Sequence, residues 1–141
     1  MKNPGSLSGD GKNLRKDTTL RILRVVGDEV GMDQMVINLF DYASPNPQEL
    51  HDNWEYRDSK ALVYPHIKAK SYRAILYAYG DIYPTCSADY LDRIASVRDR
   101  FKALTEIVIP KTKAGYPVHP MNWQRHRLLP EVIAAIKEHK K

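Results

Sequence analysis

The sequence predicts an all-α fold, a single compact bundle of about five or six helices, with a helix-turn-helix-like hairpin near residues 18–42. Three observations carry that expectation. First, Tyr90, Ile94, Val97, Phe101, Leu104 and Val108 recur at steps of three and four between Ser87 and Ile109, which places them on one stripe of a long helix. Second, Leu20, Leu23, Val26 and Val30 repeat the same spacing after a capping residue at Asp17 or Thr18. Third, Pro130 followed by Glu131, Val132, Ile133 and Ile136 reads as a closing helix with proline in its first turn.

In order, residues 1–13 hold three glycines, a proline and small polar side chains, so they are expected to form a flexible N-terminal tail before one domain over residues 14–141. Gly27 and Gly31 interrupt the first helix, and a second helix is expected from Asp33 to Tyr42. Gly27, Val30, Gly31, Met32, Ile37 and Phe40 match the small and apolar positions of a helix-turn-helix. The charge argues against that hairpin reading a major groove. Its second helix carries Asp33 and Asp41 and no basic residue, so counterion release gains nothing there.

Pro47 opens a further helical stretch reaching Trp54 and Tyr56, and Ser59 caps another turn through Leu62. Residues 66–79 are expected to be helical with a small inner face of Ile67, Ser71, Ala74, Ile75 and Ala78, suited to packing against the long helix. Pro110 should stop that long helix, after which residues 111–120 form a proline-rich loop.

Composition bounds the function classes. With 141 residues, 43% hydrophobic and 28% charged, the chain can build one ordinary core. A single cysteine, Cys86, excludes a disulfide framework, and no apolar run approaches the ~18–20 residues of a membrane span, so a cytoplasmic protein with no membrane contact is expected. The five histidines show no spacing that would seat a metal, and Gly11-Lys12 lacks the earlier glycine and following hydroxyl of a phosphate-binding loop. No catalytic residue, cofactor or metal is therefore assigned.

The net charge of +5 is unevenly distributed: +4 over residues 1–24, −7 over 25–58 and +8 over 59–141. No acidic residue lies between Lys60 and Gly80, where Lys68, Lys70 and Arg73 alternate with Tyr72 and Tyr77. Lys111 and Lys113 follow in the proline-rich loop, and Trp123, Arg125 and Arg127 in a short basic segment. Cations suit phosphates and aromatic rings can stack on bases, so the first expectation is a nonenzymatic nucleic-acid-associated protein, with DNA the leading candidate, contacted through these ten residues. The second is an adaptor or inhibitor that presents the acidic segment 28–58 to a basic protein partner. Asp33 and Asp41 would supply charge and Met35 and Leu39 apolar anchors.

Overall fold

The computed structural model describes residues 17–40, 67–82, 84 and 87–140. Helix α1 (Thr18–Val30) begins where the sequence places it: the Asp17 carboxylate accepts the Leu20 N–H at 2.9 Å, satisfying one of the helix's unpaired donors. It ends at Gly31, whose φ of 60° and the Met32 N–H bond to the Gly27 carbonyl (3.1 Å) make a left-handed C-cap. The buried face of α1 is Thr19, Ile22, Val26 and Val30. Relative to the expected stripe it is turned, so Leu20 and Leu23 are half-buried and Val25 lies outside.

Residues 32–40 contain no helix, so the expected helix-turn-helix hairpin is not formed. The adjacent residues Leu39 and Phe40 are both buried, at 6% and 2% exposure, which a single helical face does not favour for consecutive positions. The β-branched Val36 and Ile37 also weaken helical preference there. Tertiary burial sets the path of this segment instead. The helical stretches expected between Pro47 and Leu62, and the tail over residues 1–13, lie outside the described residues.

The expected helix over residues 66–79 is likewise absent. A short 3-10 turn (Ala69–Ser71) leads into strand β1 (Ala74–Leu76), and Tyr77, Ala78, Tyr79 and Gly80 continue as a buried run. A brief apolar run bounded by Arg73 and Gly80 fits a buried strand as well as a helix, and periodicity alone does not separate them. Helix α2 (Ser87–Arg100) buries the expected stripe of Tyr90, Ile94 and Val97, with Phe101 just beyond its end. It then stops nine residues short of Ile109. A turn closed by the Leu104 N–H on the Phe101 carbonyl (2.9 Å) delivers strand β2 (Thr105–Ile107). In this β-branched run Val108 is 68% exposed, although helical spacing assigned it to the core.

Strands β1 and β2 pair in parallel, with Ala74 opposite Thr105, Ile75 opposite Glu106 and Leu76 opposite Ile107. Parallel neighbours need a crossover, and α2 provides it. The chain is therefore mixed α/β, with four α-helices among the described residues and a two-stranded parallel sheet, not an all-α bundle of five or six helices. Helix α3 (Met121–Arg125) and helix α4 (Leu129–Glu138) complete it. As the sequence indicates, α4 has proline in its first turn and buries Val132 and Ile136, while Ile133 is half-buried.

Two apolar clusters flank the strands. One joins Ile22, Val26 and Val30 of α1 to Ala78, Ile107, Ile109, Trp123, Val132 and Ile136. The other joins Tyr77 and Tyr79 to Leu39, Phe40, Ile67 and the α2 stripe. Tyr77 and Tyr79 thus face one layer and Ala78 the other, the alternation a strand imposes. The result is a sheet between α2 on one side and α1, α3 and α4 on the other. Among the described residues no helix is long and apolar enough to cross a membrane.

Candidate nucleic-acid interface

The parallel register decides which of the expected contact residues come together. Lys68, Lys70 and Arg73 are all exposed and lie at the amino end of β1. Lys111 and Lys113, also exposed, lie past the carboxyl end of β2. Arg73 directly precedes the Ala74–Thr105 pair, and Lys111 lies four residues past Ile107, the last residue of β2. They form two poles, not one patch. Arg125 and Arg127 are exposed at the end of α3, where Arg127 adopts a left-handed backbone with φ 56°.

The aromatic members of the expected interface are placed differently. Trp123 is 1% exposed, in the core beside Val118 and Val132, and its indole N–H donates to the Val118 carbonyl at 2.9 Å. It cannot stack on a base. Tyr77 is buried, and the Arg98 guanidinium covers its ring at 4.2 Å from the centroid. Burial pushes the Tyr77 hydroxyl above its ordinary value of 10.0, with the Arg98 charge acting in the opposite direction. Tyr72 alone of the three is half-exposed, and its hydroxyl donates to the Met35 sulfur at 3.1 Å. Strand and core packing use the aromatic rings that a sequence reading assigns to bases.

Arg98 itself is held from three sides. It makes a two-pronged bond to Glu106, at 2.5 and 3.1 Å, stacks on Tyr77, and hydrogen-bonds Tyr79. The Glu106 hydrogen bond holds its guanidinium pKa above the ordinary value, although partial burial works against this. A side chain of α2 is thereby fixed to β2 and to the chain leaving β1. This clasp joins the parts of the crossover.

At the carboxyl end of the strands the structure gathers polar groups to which the sequence reading gave no role. Residues 110–118 close a hairpin through the Thr112 N–H on the Tyr116 carbonyl (2.7 Å) and the Val118 N–H on the Pro110 carbonyl (3.0 Å). The Gly80 N–H donates to the Pro117 carbonyl at 2.9 Å, which docks this hairpin on the loop after β1. Gly80 has a φ of 74°, and a Cβ there would stand 3.1 Å from the Cβ of His119. The positive φ favours glycine, and a side chain there would press on His119. Beside it, the Asp81 carboxylate accepts the Thr112 hydroxyl, and the Met121 N–H donates to His119 Nδ1 at 3.3 Å. A carboxylate and a hydroxyl thus meet beside Lys111 and Lys113, with His119 packed against Gly80, at the strand ends where open α/β sheets present polar groups to ligands. The separation of 31 positions between Asp81 and Thr112 leaves no local spacing from which this could be read.

The surface expected for a protein partner is only partly present. Asp33 and Met35 are exposed, Met35 by 54%, but Leu39 is 6% exposed within the α2-side cluster and serves the core, so it is no anchor. Asp41 lies outside the described residues. Some of the contrast between acidic and basic regions is used inside the fold. Lys137 bonds Glu29 at 2.9 Å, and Lys140 donates to the last-turn Val30 carbonyl at 2.8 Å, so two C-terminal cations secure the end of α1.

No curated protein and no solved structure matches the chain. Residues 1–121 match the family described as Protein of unknown function (DUF1643), a span that takes in α1, the whole β1–α2–β2 crossover and the hairpin that carries Lys111 and Lys113. The chain belongs to the DUF1643 family.

Proposed function

We propose that the protein is a nonenzymatic, nucleic-acid-associated module that holds phosphates through Lys68, Lys70, Arg73, Lys111, Lys113, Arg125 and Arg127. One observation carries the reading: all seven are exposed, and none forms an ion pair with a carboxylate among the described residues. The contrast lies elsewhere in the same molecule, where Arg24, Arg98, Lys102 and Lys137 each have an acidic partner. An exposed cation without a partner keeps its charge for an external anion, and each phosphate it neutralises releases counterions. No recognition helix takes part, because residues 32–40 are not helical.

The test is titration of the purified protein into labelled nucleic acids across a salt series. Binding should weaken linearly in log–log form, with a slope of up to about 6 if all seven cations engage phosphates of a duplex. A slope near zero, or no binding at about 20 mM salt, would leave the charge to solubility. In that case the exposed Met35 and Val36 would make an apolar protein contact the better account.

A further inference from the structure

We infer that the hairpin at the carboxyl end of the sheet holds one nucleotide unit by its base as well as its phosphate, with the Tyr116 ring stacking on the base and Lys111 and Lys113 holding the phosphate. The inference rests on the nucleic-acid reading above and deepens it, because that reading assigns phosphates alone. The hairpin register brings these groups together. Lys111 bridges Pro117 in antiparallel fashion and the Thr112 N–H donates to the Tyr116 carbonyl at 2.7 Å, so Thr112 and Tyr116 stand opposite each other. Between them the Gly115 N–H closes on the Thr112 carbonyl at 3.0 Å and Gly115 takes a φ of 87°, a three-residue loop that carries Lys113 on its exposed tip. The Thr112 hydroxyl bonds Asp81, and the Tyr116 ring meets Tyr79 with centroids 6.3 Å apart at 59°. Tyr116 is thereby fixed against the run after β1 while remaining half-exposed.

The chemistry of the group selects a nucleotide over a bare phosphate. A partly exposed ring offers a face to a base of any sequence, and the two exposed lysines on the same hairpin supply cations for the phosphate attached to it. Asp81 sharpens the choice. Its exposed carboxylate accepts hydrogen bonds and repels phosphate, so a surface that only tracks a backbone gains nothing from it. A nucleotide does gain, because its sugar hydroxyls and base N–H groups are donors that a carboxylate can receive. Position agrees with composition: the group lies past the carboxyl ends of two parallel strands, where open α/β sheets bind their ligands. The Gly80 N–H on the Pro117 carbonyl (2.9 Å) ties the hairpin down there before any ligand arrives, so little ordering is left to binding.

The experiment titrates the full chain with a labelled single strand of about ten nucleotides and with the same strand made abasic. Both titrations are repeated with Tyr116→Leu, Tyr116→Phe and the combined Lys111→Gln, Lys113→Gln variant, each checked for folding by circular dichroism. The base-bearing strand should bind the wild-type chain about tenfold tighter than the abasic strand, a comparison that needs no variant. Tyr116→Leu should lose about tenfold for the base-bearing strand and stay within about twofold of wild type for the abasic one, whereas Tyr116→Phe, which keeps the ring, should stay within about twofold for both. The lysine pair variant should weaken both strands and lower the salt slope by about 1.4, at ~0.7 for each cation on a single strand. Equal binding of the two strands, or a base-bearing strand indifferent to Tyr116→Leu, would overturn this inference while leaving the nucleic-acid reading in place. Absence of binding to either strand would overturn both. Competition with free adenosine monophosphate distinguishes the two sources of such a unit, since displacement of the strand marks a site that also takes the nucleotide alone.

Discussion

The crossover helix and the segment before β1 carry positive charge to opposite ends. On α2, Arg98 is spent on the fold: it is clamped by Glu106, covers Tyr77 and bonds Tyr79. Around β1, Lys68, Lys70 and Arg73 have no acidic neighbour in sequence and no carboxylate partner among the described residues. Net charge does not distinguish the two regions. Among the described residues the difference is the presence of a carboxylate within reach, which turns a cation into a structural clasp, and its absence, which leaves the cation to solvent or to an anion.

That comparison can be broken most severely at its apolar foundation. Replacing Trp123 by alanine removes a 1% exposed indole and its hydrogen bond, and should destabilise the chain by about 3–5 kcal/mol in denaturant titration. A loss below about 1 kcal/mol would show that the ring is not in the core and would restore it as a stacking candidate. Next, Arg98→Ala should cost about 1 kcal/mol, a modest figure because the Arg98 and Glu106 side chains are 42% and 41% exposed and water screens their attraction. The Lys68, Lys70, Arg73 triple variant should leave the same denaturation midpoint unchanged. Equal destabilisation by both would erase the distinction between spent and available charge.

The smallest effect is at alkaline pH. Burial raises the Tyr77 hydroxyl above 10.0, so the folded chain retains the proton longer than the unfolded one. Its contribution to stability is fully present below pH 10.0 and is lost as pH rises through the folded value. Tyr77→Phe should therefore flatten the alkaline limb of the stability profile while changing little at neutral pH. A profile identical to wild type from pH 9 to 11 would place Tyr77 in water rather than beneath Arg98.

Local signals were legible where they acted alone. Asp17 caps α1, Gly31 ends it, the Tyr90, Ile94, Val97 and Phe101 stripe is buried, and Pro130 opens α4. Each follows from chemistry within one or two turns. The failures share a cause. Residues 74–79 and 105–109 are short apolar runs, each compatible with helix or strand, and only their pairing with each other selects strand. Reading them as helical moved Val108 into the core, kept Tyr77 as a base-stacking residue, and made an all-α bundle of a mixed α/β fold. The cations were easier to place, because a run without acidic residues leaves exposed lysines and arginines few ways to be neutralised nearby.

The sequence by itself therefore determined both ends of α1, the proline start of α4, the α2 stripe and the cation-rich character of residues 60–80, since these depend on neighbours three or four positions away. Only the tertiary structure decided that Ala74 meets Thr105, that Gly80 admits His119, that Asp81 meets Thr112 and that Lys137 reaches Glu29. These contacts join positions 31 to 108 residues apart. Their partners are chosen by the closing of the sheet and the layers packed on it, and no local spacing encodes them.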